Sequence, residues 1–164
     1  MITFKIEQDR AMTGKKWAFE DFAEGQSIDL GTKAVTAEEI IGFAREFDPQ
    51  PMHLDEEAGK ASLLGGLGAS GWHTCCMFMR MLCDGFLLDS TSQGSFGIDY
   101  AKWKKPVLAG DTLTGRVTVM SARSSKSRPG VGLVTIRSEV TNQRGEHVLE
   151  LQNTGMFLTR EAAR

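Results

Sequence analysis

One long apolar segment constrains the fold of this chain more than any other feature of its sequence. Between Trp72 and Leu88 the only charged residues are Arg80 and Asp84. Such a segment predicts a helix that is buried nearly all round. No stretch approaches the run of about 18 apolar residues that a membrane span requires. The sequence therefore predicts a central helix against which the rest of the chain packs.

The segments beyond this helix favour strands. Apolar and polar residues alternate with a period of two between Val134 and Thr141, and the turn Asn142–Gly145 leads into another apolar segment. The predicted strands cover residues 27–35, 96–103, 112–122, 134–141 and 147–159. Helices early and strands late favour the α+β class, with an antiparallel sheet packed on one central helix.

A second helix is predicted between the first strand and the apolar segment. Thr36 and Glu39 form a capping-box pattern at its start, and Pro49 ends it, so Asp48 stands at the helix exit. For residues 48–54 the sequence then predicts an extended loop, stiffened by Pro49 and Pro51. Further on, Asp55 is suited to cap a short helix that runs through residue 62, followed by a glycine-rich loop over residues 63–71.

Length and charge narrow the class of protein. The 164 residues predict a single domain, 1–164, with 1–16 as an N-terminal arm, and the net charge of −2 does not suggest a nucleic-acid binder. The N-terminus lacks the apolar core of a signal peptide, so a cytoplasmic protein is expected. Cys75, Cys76 and Cys83 are interpreted as small apolar core residues in a reducing compartment.

Asp48 and His53 form the first candidate site. A carboxylate and an imidazole five positions apart on a proline-stiffened loop suit general acid–base chemistry near neutral pH. The alternative is that Asp48 closes a turn and His53 bonds a backbone carbonyl. His73 is interpreted as a core or interface residue with its hydrogen bonds satisfied, and His147 as a solvated residue. The three histidines are too scattered along the sequence for a metal site.

The glycine-rich loop that leads into the long helix is the second candidate. Free amides at a helix N-terminus stabilise a developing oxyanion, although glycine before a helix is often only a turn. No Gly-Lys-Ser/Thr follows, so a phosphate-binding loop is not indicated. Elsewhere, the basic stretch 123–128 is interpreted as a flexible hairpin loop that is either solvated or in contact with phosphates of a ligand.

Two motifs carry a resemblance to a known family. Residues 43–62, with Asp48, Pro51 and His53, resemble the signature Gly-Asp-x-Asn-Pro-hydrophobic-His of MaoC-like dehydratases, the (R)-specific enoyl-CoA hydratase or hydratase 2 family. Residues 103–113 are similar to the family's strand leading to Pro-Val-x-x-Gly-Asp. The resemblance covers about residue 20 to the end, and it implies a hot-dog fold, an antiparallel sheet wrapped around a long central helix.

The resemblance also implies chemistry. Asp48 and His53 would hold and activate one water, and the amide of Gly71 would polarise a thioester carbonyl. The implied reaction is reversible addition of water to a trans-2-enoyl-CoA, which gives an (R)-3-hydroxyacyl-CoA without a metal or redox cofactor. With Gly71, the resemblance implies Ser70 and Gln50 as oxyanion or substrate-binding residues. Gln50 replaces the usual Asn, and Ser70 stands where many members have His, so both positions bear on acyl specificity.

Partners and rival functions follow from the same resemblance. Acyl-CoA is the expected ligand, with neither nucleic acid nor membrane as a partner. A homodimer or dimer of dimers is expected, with the site at or near the subunit boundary. An acyl-CoA thioesterase and a non-catalytic acyl-CoA-binding protein of the same fold remain the alternatives.

Overall fold

The structure, a computed structural model, describes residues 16–164, so the predicted N-terminal arm lies outside the described residues except for Lys16. A short 3₁₀ helix, Phe19–Asp21, precedes strand β1 and helix α1. Two short helices, the long helix α4, a second 3₁₀ helix at Leu87–Asp89 and four further strands follow. Their bounds are β1 Ser27–Ala34, α1 Ala37–Phe47, α2 Pro51–Leu54, α3 Glu56–Ala61, α4 Gly71–Gly85, β2 Ser92–Trp103, β3 Thr112–Ser124, β4 Val131–Thr141 and β5 His147–Leu158.

The strands form one antiparallel sheet in the order β1-β3-β4-β5-β2. Alternate residues of β4, such as Val134, Ile136 and Val140, are buried, as the period of two predicts. They share one hydrophobic core with Met77 and Phe78 of α4. The α+β architecture, with a sheet packed on one long helix, is therefore confirmed.

Helix α4 is buried on one side only, and the prediction of burial nearly all round is wrong. Met77 and Phe78 face the core, whereas Trp72 is 62% exposed and Met79 is 44% exposed. Cys76 is exposed, and Cys75 and Cys83 are half-buried, so the interpretation of all three as core residues is wrong. The physical reason is that a helix lying on a single sheet has only one face covered in one copy of the chain. No helix among residues 16–164 is long and apolar enough to cross a membrane.

Local chemistry shifts several element boundaries. The capping box at α1 is half formed: the Glu39 amide donates to Thr36 Oγ1 at 3.2 Å, but the Glu39 carboxylate pairs with Lys33 at 2.6 Å instead of reaching back. Residues 51–54 form a helical turn, not an extended loop, because Pro51 at the first helical position needs no hydrogen bond for its nitrogen.

Strand β2 begins at Ser92, earlier than predicted. Gly94 and Gly97 have positive φ, and the pairing with β5 shifts register there. These glycines break the alternation from which a strand is recognised.

The glycine-rich loop before α4 is held by the turn between β2 and β3. The Ala69 amide donates to the Val107 carbonyl at 2.8 Å, and the Ala109 amide donates to the Leu67 carbonyl at 3.0 Å. The loop is therefore fixed on both sides of Gly68, so the carbonyl group of Gly68 has a defined direction.

Asp111 in turn fixes this β2–β3 turn. Its buried carboxylate accepts the Leu108 amide at 3.0 Å, the side-chain amide of Gln143 at 2.9 Å and the guanidinium of Arg144 at 3.1 Å. The side chain of Asp111 is 4% exposed, so these donors replace the water that it loses on folding.

Candidate active site

The fold brings Asp48 and His53 together. Asp48 is the C-cap of α1, as Pro49 predicts, and its amide donates to the Ala44 carbonyl at 3.0 Å. His53 lies on α2 and is only 6% exposed. Asp48 Oδ2 and His53 Nε2 are 3.7 Å apart. The carboxylate and the imidazole of the predicted acid–base pair therefore face each other.

A backbone contact determines the tautomer of His53. Its Nδ1 lies 2.7 Å from the Gly68 carbonyl oxygen. Because a carbonyl oxygen only accepts hydrogen bonds, we assign the proton to Nδ1, and the lone pair of the neutral ring is then on Nε2. His53 thus both bonds a backbone carbonyl and faces Asp48, so the two sequence interpretations are combined in one arrangement.

Two neutral side chains hold the Asp48 carboxylate. Ser70 Oγ donates to Oδ2 at 2.5 Å, and Gln50 Nε2 donates to Oδ1 at 2.8 Å. The Ser70 hydrogen bond, then that of Gln50, lowers the pKa of Asp48 below its usual value, with a smaller contribution from His53 and partial opposition from burial. Asp48 is therefore ionised at neutral pH.

The bond from Ser70 to Asp48 is a feature that sequence reasoning missed. The resemblance implies oxyanion or substrate-binding roles for Ser70 and Gln50 but no contact with Asp48, to which both side chains donate. Asp48 and Ser70 are 22 positions apart with no periodic signal between them, and only the packing of the glycine-rich loop brings the two together.

Gly71, the third predicted site residue, is the first residue of α4. Ser70 precedes it as the N-cap, but the Ser70 side chain makes no capping hydrogen bond because it bonds Asp48. The first amides of a helix lack partners within the helix. A Cβ at position 71 would come within 2.7 Å of the Trp103 ring, whose Nε1 donates to the Gly71 carbonyl at 2.8 Å. Glycine is therefore needed for this close packing.

An open apolar cavity of about 420 Å³ lies between α4 and the sheet. Trp72 and Cys75 of α4 line it, together with Ile98 and Phe157 of the sheet. Among the described residues, none of the lining side chains is charged. Burial raises the pKa of the Cys75 thiol, so this cysteine is protonated at neutral pH.

The remaining histidines lie apart from the pair. His73 is buried and stacks on Phe43 at 4.7 Å, as expected of a core residue, but its Nδ1 has no hydrogen-bond partner, so the expectation of a satisfied histidine is wrong. Burial lowers the pKa of His73, which keeps the ring neutral. The side chain of His147 is 51% exposed, as predicted. Within residues 16–164 no three His, Cys, Asp or Glu side chains are arranged to hold a metal ion.

Comparison with known proteins identifies the family. The sequence model of the MaoC-like domain matches residues 21–142. The chain belongs to the MaoC-like domain family. The resemblance drawn from the motifs around Asp48 and before Asp111 is thereby confirmed.

Two curated relatives of this MaoC-like chain are named as hydratases. The (R)-specific enoyl-CoA hydratase of Rhodospirillum rubrum is 30% identical over 87% of this chain and 92% of its own length. The mesaconyl-CoA hydratase of Haloarcula hispanica is 28% identical over 98% of this chain but only 46% of its own length. The family level therefore supports a hydro-lyase.

Solved structures agree with the fold of this MaoC-like chain. The crystal structure of a MaoC-like dehydratase from Rhodospirillum rubrum has a TM-score of 0.76 and 41% identity, covering 87% of this chain and 97% of that one. A Mycobacterium tuberculosis protein with a double hot-dog fold has a TM-score of 0.69 at 18% identity, covering 87% of this chain and 44% of that one. The hot-dog fold is confirmed.

Proposed function

We propose that the chain catalyses the reversible addition of water to a trans-2-enoyl-CoA, giving an (R)-3-hydroxyacyl-CoA. The observation that carries the proposal is the geometry of one pair: the free lone pair of His53 Nε2 lies 3.7 Å from an oxygen of the ionised Asp48. In this proposal a water bound beside both atoms donates one hydrogen to each. Membership of a family with two relatives named as hydratases supports this reaction.

His53 is the base in this proposal. The two hydrogen bonds to Asp48 that lower its pKa also make it a weak base, so Asp48 orients the water. As the water oxygen bonds to the β-carbon, one O–H bond breaks and His53 Nε2 takes the proton. The pair then returns a proton to the α-carbon, so the atoms of one water are added across the double bond. A His in this role contributes typically ~10²–10⁴-fold to the rate.

The start of α4 is suited to the charge that develops on the thioester oxygen. Attack at the β-carbon pushes electrons into an enolate, and unpartnered amides at a helix N-terminus stabilise such an oxyanion. In this proposal the Gly71 amide is one donor. Because the Ser70 side chain is held by Asp48, the N-terminal amides of α4 are not capped by it.

The apolar cavity favours an uncharged acyl chain. Trp72 and Cys75, which follow Gly71 on α4, line this cavity, and in this proposal it receives the chain beyond the double bond. A dicarboxylic acyl group, such as the mesaconyl group in the name of one relative, would lose hydration there without a cation to replace it. We therefore expect hydration of trans-2-butenoyl-CoA to exceed that of mesaconyl-CoA in kcat/KM.

A two-signal assay separates hydration from the rival functions. With trans-2-butenoyl-CoA, a hydratase removes the enoyl absorbance and leaves the thioester intact. Fast thiol release from saturated acyl-CoA with stable enoyl absorbance would instead indicate a thioesterase. If neither signal changes across a broad acyl panel, the non-catalytic binding protein is the better account.

The working assembly is proposed to be at least a homodimer. Strand β2 ends the sheet on one side, and it exposes Ile98, while Trp72 and Met79 are exposed on the neighbouring helix. Pairing of this edge with a second copy would cover these apolar side chains. Such pairing would place the boundary of the two copies beside the acyl cavity, which Ile98 and Trp72 line.

A further inference from the structure

The basic hairpin between β3 and β4 borders a second cavity, of about 330 Å³. Arg123, Lys126 and Arg128 line it, together with Ser125 and Ser127. Among the described residues, the lining contains no Asp or Glu. None of the three cations takes part in an ion pair within residues 16–164. The cavity therefore combines hydrogen-bond donors with uncompensated positive charge, which suits a phosphate.

The other side of the cavity is apolar. Val131, Leu133 and Met156 line it, and so does Phe96, whose side chain is 68% exposed. An exposed aromatic ring offers a stacking surface for a planar heterocycle. We propose that this cavity binds a nucleotide, with its phosphate on the three cations and its base against Phe96.

Hydrogen bonds within the hairpin fix the backbone that carries the cations. The Ser125 amide donates to the Val131 carbonyl at 2.8 Å, and the Val131 amide donates to the Arg128 carbonyl at 3.2 Å. Ser125 Oγ accepts the Arg128 amide at 3.2 Å, and the Arg128 guanidinium lies 3.8 Å from the Met156 sulfur. Binding a phosphate here requires little further ordering of the backbone, which favours affinity.

The nucleotide site is separate from the Asp48–His53 site of the same chain. Leu133 pairs with Met156, whereas Trp103, which packs on Gly71, pairs with Leu149. Leu149 and Met156 are seven positions apart along β5, a distance of about 23 Å. Leu133 also points to the opposite face of the sheet from its neighbour Val134, which lines the acyl cavity.

Two ligands share the chemistry that this site recognises. One is a free nucleotide. The other is the nucleotide end of a CoA thioester whose acyl chain lies in the active site of a second copy. This second possibility rests on the function proposed above.

Calorimetric titration of the whole protein with adenosine 3′,5′-bisphosphate tests the site without reference to activity. We expect one bound nucleotide per chain. The double variant Arg123→Gln, Arg128→Gln should weaken binding at least roughly tenfold, because charge-assisted hydrogen bonds are lost. The matched control is Arg80→Gln, Arg116→Gln, which removes the same charge from two exposed arginines outside the cavity and should bind as the wild type does.

The position of the base has its own test. Phe96→Leu should weaken binding of the bisphosphate but leave binding of inorganic phosphate unchanged. No binding by the wild type, or equal binding by the cavity variant and the control, would overturn the proposal.

Kinetics then separate the two sources. If the thioester supplies the nucleotide, the cavity variant raises KM for trans-2-butenoyl-CoA with kcat unchanged, and it leaves KM for trans-2-butenoyl-pantetheine unaltered. If a free nucleotide is the ligand, KM is unchanged for both substrates while nucleotide binding is still lost. Should the wild type hydrate neither substrate, the proposed function fails, and the calorimetric result alone decides on the nucleotide site.

Discussion

At the scale of single residues, the hydrogen bond from Ser70 to Asp48 sets the ionisation of the proposed catalytic pair. Ser70→Ala removes the largest cause of the lowered pKa of Asp48, so that pKa rises towards its usual value. A pH titration of the Asp48 carboxyl carbon by ¹³C NMR should therefore show a higher midpoint in Ser70→Ala than in the wild type. Ser90→Ala, which removes another buried hydroxyl, is the control and should leave the midpoint in place. An unmoved midpoint in Ser70→Ala would contradict this role of Ser70.

The pair itself gives a second prediction. Asp48→Asn removes the charge at constant size, and His53→Ala removes the ring. Each should lower kcat by ~10²–10⁴-fold, the usual contribution of acid–base catalysis. Asp29→Asn and His147→Ala change exposed residues of the same types and should retain activity. Circular dichroism checks folding, because His53 is buried. Near-full activity of either pair variant would show that the site is misassigned.

The sequence predicts the pair Asp48 and His53 but not the residues that hold the two side chains. The short spacing of Asp48 and His53 confines them to one region, and Pro49 determines where α1 ends. Their contacts with Ser70 and Gly68 depend on how a loop more than a dozen residues away folds back. No local pattern encodes that return, so the ionisation of Asp48 and the tautomer of His53 require the structure.

At the scale of elements, Asp111 ties the β2–β3 turn to the turn between β4 and β5. Asp111→Ala deprives three donors of their acceptor and should lower the free energy of unfolding by about 2 kcal/mol. Urea denaturation measures this change. Asp84→Ala breaks an exposed i,i+4 pair with Arg80 and should cost about 0.5 kcal/mol or less. Equal costs for the two variants would mean that the Asp111 network does not stabilise the turn.

Strands with clean alternation were predictable, whereas elements that depend on tertiary packing were not. The alternation in β4 follows from one buried and one exposed face. The first residues of β2 were not predicted as strand because Gly94 and Gly97 interrupt the alternation of apolar and polar residues. In α4 the sequence shows apolar residues on nearly all sides, but a single sheet covers only one side. Trp72 and Met79 are apolar but exposed, and nothing in residues 16–164 of one copy of the chain covers them.

At the scale of the whole molecule, these exposed apolar side chains predict a homodimer. Sedimentation velocity at micromolar concentration should give the mass of two or more chains. Ile98→Lys places a charge on the free edge of the sheet and should shift the mass towards that of one chain. Thr114→Lys, on an exposed position of β3 inside the sheet, serves as the control and should sediment as the wild type does. A wild type that is a stable monomer would contradict the proposed assembly.

The fate of the oxygen of water tests the central claim most directly. The protein is incubated with trans-2-butenoyl-CoA in H₂¹⁸O, and the products are analysed by mass spectrometry. Hydration by Asp48 and His53 predicts ¹⁸O in the 3-hydroxyl group of an intact (R)-3-hydroxybutanoyl-CoA, with incorporation largely lost in Asp48→Asn. Label in the carboxylate of a free acid, together with released CoA, would show that water attacks the carbonyl carbon and would contradict the account.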